Sequence, residues 1–217
     1  MNRPFAASST SDILLVTTLC FGWFILGSIA AVVSGFPDEP FTDSALYGII
    51  AAELIFGAAA LGYLRLRHYD LAQLKPTPTV MGSLAGLVLF LAATIIAAAF
   101  EGLFMGGDAS RQPIDQMVSD ATLSLLPIVA VSVINGLYEE TFLLGFLQRA
   151  LEGHGAAFAI GASLLVRMSY HLYQGPAGAF SILGFGAVLS LYFLRTRKLW
   201  PVVFAHILAD LLSFTLS

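Results

Sequence analysis

Residues 79–100 read TVMGSLAGLVLFLAATIIAAAF, a run of 22 residues without a charged side chain. An α-helix needs about 20 apolar residues to cross the roughly 30 Å of hydrocarbon in a lipid bilayer. The run is long enough for that, and its leucine, isoleucine, valine and alanine side chains suit contact with lipid. This stretch therefore predicts a transmembrane helix.

The rest of the chain has the same character. Of its 217 residues, 58% are hydrophobic and 11% are charged, whereas a soluble domain carries about 25% charged residues. This composition excludes a water-soluble enzyme and a disordered chain. Ten basic residues against 14 acidic ones exclude a nucleic-acid partner, and the single Cys20 excludes a disulfide framework or a multi-cysteine metal site. The sequence indicates an integral membrane protein in contact with the lipid bilayer.

Similar apolar runs recur along the chain. They predict an all-α, polytopic transmembrane helix bundle of about seven spans, or six to eight if one segment is re-entrant. The predicted spans lie near 13–34, 44–64, 79–100, 117–136, 156–172, 177–194 and 199–215. Residues 137–152 continue the fourth span as a helix, with a bend expected at Gly136. We expect one membrane domain, 1–217.

Basic residues predict the orientation, because short cytoplasmic loops are enriched in lysine and arginine. With the N-terminus inside, the outer connections contain only Arg111. The inner segments then contain Arg3, Arg65, Arg67, Lys75, Arg149, Arg195, Arg197 and Lys198. The alanine- and glycine-rich composition favours a bacterial cytoplasmic membrane. We therefore expect the N-terminus inside and the C-terminus outside.

Ionisable side chains within the spans are few, and each costs at least about 2.5 kcal/mol to insert into a membrane. Those expected deep in the membrane are Glu53, Glu139, Glu140, Arg167, His171, His206 and Asp210. Six of these seven lie in the last four spans, which indicates a functional site there. Glu53 has no partner in its own span, and we interpret it as a structural or pairing residue.

The spacing of these residues suggests several kinds of chemistry. His206 and Asp210 are four residues apart, so they share one helix face, whereas the consecutive Glu139 and Glu140 diverge by about 100°. A glutamate and a histidine can activate a water molecule, and a second histidine tied to a carboxylate can stabilise an oxyanion. The same residue types also suit a zinc site with two histidines and two carboxylates, or helix packing through hydrogen bonds.

Three motifs in this region resemble those of a known family. The motifs EExxxR, FxxxH and HxxxN/D are typical of the CPBP intramembrane endopeptidases. This family includes CAAX proteases and bacteriocin-processing enzymes, with Abi, Rce1-like and lysostaphin resistance protein A-like members. Here they read EETFLLGFLQ from Glu139, RMSYH from Arg167 to His171, and HILAD from His206 to Asp210. The resemblance covers roughly residues 120–215, and it implies that 117–217 is the catalytic core and leaves 1–116 without an assigned role.

The resemblance implies an intramembrane endopeptidase that cleaves a membrane-attached peptide near its C-terminus. By the family pattern, Glu139 and His171 activate the water, and His206 and Asp210 form the oxyanion site. It implies no required cofactor; zinc, if bound, would be held by Glu139, His171, His206 and Asp210. Substrates expected from the family are prenylated CAAX tails, bacteriocin leaders and C-terminal sorting helices.

The sequence departs from the family pattern at two positions. Leu144 stands where the first motif has arginine, and Arg167 stands where the second has phenylalanine. Glu140 thus lacks the arginine one helical turn along, and Arg149 lies about half a turn round the helix from it. An unpaired buried charge is costly. We therefore predict that Arg167 reaches across from the next span and pairs with Glu140.

Other functions remain open at this point. A family member that has lost activity would act as a membrane scaffold or immunity protein, and Leu144 keeps this alternative open. An ion-coupled transporter could use the same buried carboxylates and histidines. Other intramembrane proteases are disfavoured, because the sequence contains no HExxH or GxGD, and Leu164 follows Gly161-Ala162-Ser163 where a rhomboid has glycine.

Overall fold

The structure, a computed structural model, describes residues 9–36, 39–105 and 112–215. Arg3 and Arg111, which the predicted orientation uses, lie outside these ranges. The described residues form helices and connecting turns without a β-strand, so the all-α bundle is confirmed. The helices are α1 (Thr10–Val33), α2 (Asp43–Leu66), α3 (Val80–Met105), α4 (Pro113–Ser119), α5 (Leu125–Glu140), α6 (Ala156–His171), α7 (Pro176–Thr196) and α8 (Leu199–Thr215).

Five helical segments in the described residues are long and apolar enough to cross a membrane. They are Thr10–Val33, Asp43–Leu66, Val80–Met105, Leu125–His154 and Pro176–Thr196. Helix α8 is a shorter apolar helix, and α6 has only 16 residues and contains a buried arginine. Both helices therefore need to pack against neighbouring helices to lie in the membrane. Large apolar side chains such as Leu91 and Ile95 project outward, as expected for lipid contact. The protein is an integral membrane protein.

The fourth span begins later than predicted. The structure places the separate helix α4 at Pro113–Ser119, and α5 begins only at Leu125. Asp120 caps the end of α4, so the chain turns before it enters the long helix. The apolar residues at 117–118 therefore belong to α4 and not to the span.

The bend predicted at Gly136 is not present. Helix α5 stays regular through Glu140 and then widens into a π-helical segment, Thr141–Gln148, before one last α-turn, Arg149–Leu151. A Cβ at Gly136 would lie 2.9 Å from Cγ1 of Ile207. The glycine instead allows close approach of α5 and α8. The wide turns begin directly after the two glutamates, and π-turns are frequent at functional sites.

Helix α5 is central in the bundle. It packs against α2 and α8, while α3 packs against α7 and α8, and α1 packs against α6. The Tyr138 hydroxyl donates to the Cys20 carbonyl at 2.6 Å, and Gln148 Nε2 donates to the Ser190 carbonyl at 3.0 Å. These buried bonds fix α5 to α1 and the π-helical segment after it to α7, so the glutamates between the two bonds are held in place.

The bundle has two distinct ends. At one, here called the basic end, Arg67 binds Asp12, Arg149 donates to Gln73, and Arg197 pairs with Glu152. At the other, the α4 end, the backbone of Phe41 bonds to that of Met117 and Ser124 N–H donates to Asp43. The two ends give a reference for the position of the site.

Candidate active site

The predicted pair of Arg167 and Glu140 is present in the structure. Arg167 Nη2 donates to both carboxylate oxygens of Glu140, at 2.7 and 2.9 Å, and Nη1 lies 3.4 Å from Glu139 Oε2. Both Arg167 and Glu140 are fully buried. One guanidinium thus lies against two carboxylates. The cross-helix pairing inferred from Leu144 is confirmed.

A residue of α7 makes room for this arginine. A Cβ at Gly186 would lie 2.8 Å from Cδ of Arg167 and 3.1 Å from its Nε. Because the guanidinium is held by two glutamates, the arginine cannot move away cheaply. The missing side chain at Gly186 therefore leaves room for the methylene chain of Arg167, which extends from α6 past α7 to Glu140 of α5.

His206 lies on the other side of Glu140. Its Nδ1 is 2.6 Å from Glu140 Oε1, and its Nε2 is 3.5 Å from Asp210 Oδ1 and 3.9 Å from Glu139 Oε2. A carboxylate already bound to arginine acts as an acceptor, so Nδ1 carries a proton. Nε2 then faces Asp210 and Glu139. Carboxylates therefore lie on both sides of the His206 ring and hold its orientation.

Asp210 is held by Asn135, a residue that the sequence did not single out. The Asn135 side-chain amide donates to Asp210 Oδ2 at 2.9 Å. Asn135 lies four residues before Glu139, so both occupy the same face of α5. That spacing is the signal that could have identified it.

His171 presents one nitrogen to the site. Its Nδ1 lies 2.9 Å from the backbone carbonyl of Arg167, four residues earlier on α6. Because a carbonyl only accepts, Nδ1 carries the proton, and Nε2 of the neutral ring is left as an acceptor. A neutral imidazole with a fixed tautomer can take a proton from water.

Tyr170 was quoted within the second motif but had no predicted role. Its hydroxyl donates to Glu139 Oε2 at 2.5 Å, and its ring stacks on Phe21 with centroids 5.2 Å apart. Tyr170 follows Arg167 by three residues, so the two share a helix face and reach the same carboxylate. Tyr170 is thus a positioning residue for Glu139.

Replacing Tyr170 by phenylalanine should weaken this positioning while the stacked ring stays in place. We expect kcat to fall about tenfold with little change in KM, since one hydrogen bond to a charged group contributes about 1.5 kcal/mol. Peptide cleavage and thermal unfolding in detergent measure the two effects. An unchanged kcat would show that Tyr170 does not position Glu139.

One cavity of about 1030 Å³ connects these groups. Its lining includes all four residues predicted to be catalytic, Glu139, His171, His206 and Asp210. The exposed Asp115 of α4 and Glu101 near the end of α3 also line it. The cavity therefore runs from the buried site towards the α4 end of the bundle.

Glu53 of α2 also faces this cavity. It is 3% exposed, and its Oε2 has no hydrogen-bond partner in the described part of the chain. The sequence favoured a structural or pairing role for Glu53. The structure places it at the site without an ion-pair partner among the described residues.

The side chains fit a zinc ion poorly. The expected zinc ligands were Glu139, His171, His206 and Asp210, but the donor atoms that converge within 4.8 Å among the described residues belong to Glu139, Glu140 and His206. Arg167 already binds both oxygens of Glu140, and Glu140 holds His206 Nδ1. A guanidinium in this position repels a second cation, so the expected four-residue zinc shell is not assembled.

Comparison with known proteins adds one finding. A family model described as type II CAAX prenyl endopeptidase Rce1-like matches residues 121–212, which is less than half of the chain. Searches of curated proteins and of solved structures gave no match. The family supports intramembrane endopeptidase activity of the CAAX type, and the match contains all three motifs. Residues 121–212 are therefore similar to the Rce1-like type II CAAX prenyl endopeptidases, which agrees with the resemblance that the three motifs carry.

Proposed function

We propose that the protein hydrolyses a membrane-attached peptide near its C-terminus, using a water molecule activated by Glu139 and His171. The observation that carries this proposal is that the Glu139 carboxylate, His171 and His206 line one cavity inside the bundle. Glu139 as the general base, His171 as the residue that orients the water and His206 as the hydrogen-bond donor to the oxyanion can therefore act on the same bound peptide.

In the proposed mechanism Glu139 takes a proton from water, and the resulting hydroxide attacks the scissile carbonyl carbon. The known contacts of Glu139 are all made by Oε2, so Oε1 is the oxygen that receives the proton. His171 Nε2 accepts a hydrogen bond from the same water and orients it. When the C–N bond breaks, the proton passes from Glu139 to the leaving amine.

His206 is proposed to stabilise the negative charge that develops on the carbonyl oxygen. Its Nε2–H is the donor, and Glu140 and Asp210 keep the ring charged and oriented from either side. An ionised Asp210 cannot itself donate to an oxyanion. We therefore assign Asp210 a role through His206, with Asn135 holding the carboxylate in place.

The proposed mechanism requires no metal ion. Peptide cleavage should keep its full rate in the presence of EDTA or 1,10-phenanthroline, because Arg167 takes the position that a cation would need. The check is kcat measured after dialysis against chelator, with added zinc as the second arm. A loss on chelation that zinc restores would contradict the proposal.

The N-terminal spans are proposed to complete the cavity around a catalytic core at 117–217. Glu53 from α2 and Glu101 from α3 belong to its lining, which gives residues 1–116 a role that the motifs did not. We also propose a bacterial cytoplasmic membrane with the N-terminus inside. The cavity would then open to the outer side, since the basic end faces the cytoplasm.

The function is tested in cells that express the wild-type protein or Glu139→Gln. Membrane-protein termini are compared by mass spectrometry at equal protein levels. A C-terminal fragment that disappears with Glu139→Gln would support the peptidase and identify its substrate. Unchanged termini together with complementation of a deletion by Glu139→Gln would instead favour a scaffold or immunity role.

A further inference from the structure

Glu53 is a buried carboxylate that the proposed mechanism does not use. Carboxylates are almost never fully buried without a partner, because removing an ion from water costs several kcal/mol. Glu53 is 97% covered, yet its Oε2 has no hydrogen-bond partner in the described residues. A buried polar group without a partner in a cavity wall needs an explanation, and a bound ligand that donates the missing hydrogen bond provides one.

The charges around the cavity indicate what kind of ligand would fit. Among the described residues, its lining contains five carboxylates, from Glu53, Glu101, Asp115, Glu139 and Asp210. Within the described part of the chain, the lysine and arginine contribution to this lining is Arg167 alone, and Arg167 is already bound to two glutamates. The two histidines that line it, His171 and His206, face Glu139 or the Arg167 carbonyl. The lining is therefore rich in negative charge.

We propose that Glu53 forms a subsite that binds a lysine or arginine side chain of the substrate close to the scissile bond. This inference rests on the proposed peptidase function, because it specifies the peptide that this site accepts. The substrate then has a basic residue within the part of its chain that enters the membrane. The cation supplies the hydrogen-bond donor that Glu53 Oε2 lacks.

The walls around Glu53 suit such a side chain. Long basic side chains lay their methylene stems along apolar surface and carry the charge at the tip. Ile49, one turn from Glu53 on α2, and Val131 of α5 provide apolar lining on that side of the cavity. A free C-terminal carboxylate, by contrast, would meet like charges at Glu53 and Asp210.

The test uses the full-length protein in detergent and palmitoylated, internally quenched peptides. Each peptide carries lysine at one of eight positions and norleucine, its neutral analogue, at the others. Cleavage by wild type, Glu53→Gln and the exposed control Glu39→Gln is compared. Binding of the same peptides to Glu139→Gln, with and without Glu53→Gln, gives a readout that is independent of cleavage.

We expect wild type and Glu39→Gln to prefer lysine over norleucine at least tenfold in kcat/KM at one position. Glu53→Gln should lose that preference and cleave the lysine and norleucine peptides with similar kcat/KM. Glu53→Asp, which keeps the charge, should retain part of the preference. The subsite is overturned if wild type has no lysine preference at any position, or if Glu53→Gln keeps it.

The two proposals can fail separately. Cleavage without lysine preference would remove the subsite and leave the peptidase function. Lysine-selective binding that depends on Glu53, with no cleavage by wild type, would support the subsite and contradict the peptidase function. Equal binding of the lysine and norleucine peptides without cleavage would contradict both.

Discussion

Replacement of Glu139 by glutamine is expected to lower the kcat for peptide cleavage about 10²- to 10⁴-fold, the usual contribution of a general base. The amide keeps the shape of the side chain and can still accept from the Tyr170 hydroxyl, but it cannot take a proton from water. Single-turnover cleavage of a lipidated, internally quenched peptide measures the effect. Thermal unfolding should change little, because Arg167 keeps its pair with Glu140.

The matched control is Glu39→Gln, which makes the same chemical change at an exposed position outside the cavity. It should retain wild-type cleavage. If Glu139→Gln kept more than a tenth of the wild-type kcat while folding normally, Glu139 would not be the general base.

The second large effect is expected on stability. Arg167→Leu removes the cation from a fully buried Glu140, and breaking a buried ion pair in this way costs about 3–5 kcal/mol. We expect the variant to unfold at a clearly lower temperature in detergent. Adding Leu144→Arg should restore stability, because position 144 is buried and lies about one turn beyond Glu140 on the same continuous helix.

Leu144→Arg alone provides the control for this rescue. It adds a second buried cation while Glu140 is still bound to Arg167, so it should destabilise the protein on its own. The double variant is then more stable than either single variant. A double variant no better than Arg167→Leu would show that position 144 cannot supply the missing charge.

Much of the site could be predicted because charges in a membrane are rare and costly. Six of the seven ionisable residues singled out in the spans belong to the three motifs or pair with them. The contact between Arg167 and Glu140 followed from a missing arginine and the need for a partner. The all-α fold followed from composition, since a helix satisfies its own backbone hydrogen bonds in lipid.

The remaining contacts could not be predicted because the helices are apolar on nearly every face. In a soluble helix the alternation of polar and apolar residues indicates which face is buried, whereas lipid and protein interior are equally apolar. The sequence therefore did not indicate that His206 would bind Glu140 as well as approach Asp210. For the same reason it did not place Glu53, on a different span, at the cavity.

The start of α5 and its wide turns were missed for another reason. Met117 and Val118 are apolar, but Asp120, Thr122 and Ser124 follow them before the apolar run resumes at Leu125, and these polar residues are the signal that separates α4 from the span. The π-helical segment Thr141–Gln148 has no proline or internal charge to signal it. Its geometry depends on the helices packed around it.

The ion pair between α5 and α6 also has a consequence for how the protein enters the membrane. Helix α6 has only 16 residues and carries Arg167 four residues before its end, so by itself it inserts poorly into a membrane. Helix α5 brings two glutamates that are equally unfavourable alone. The buried charges neutralise each other only when both helices are present. We therefore expect the two helices to leave the translocon together as a hairpin, with the ion pair between Arg167 and Glu140 formed during synthesis.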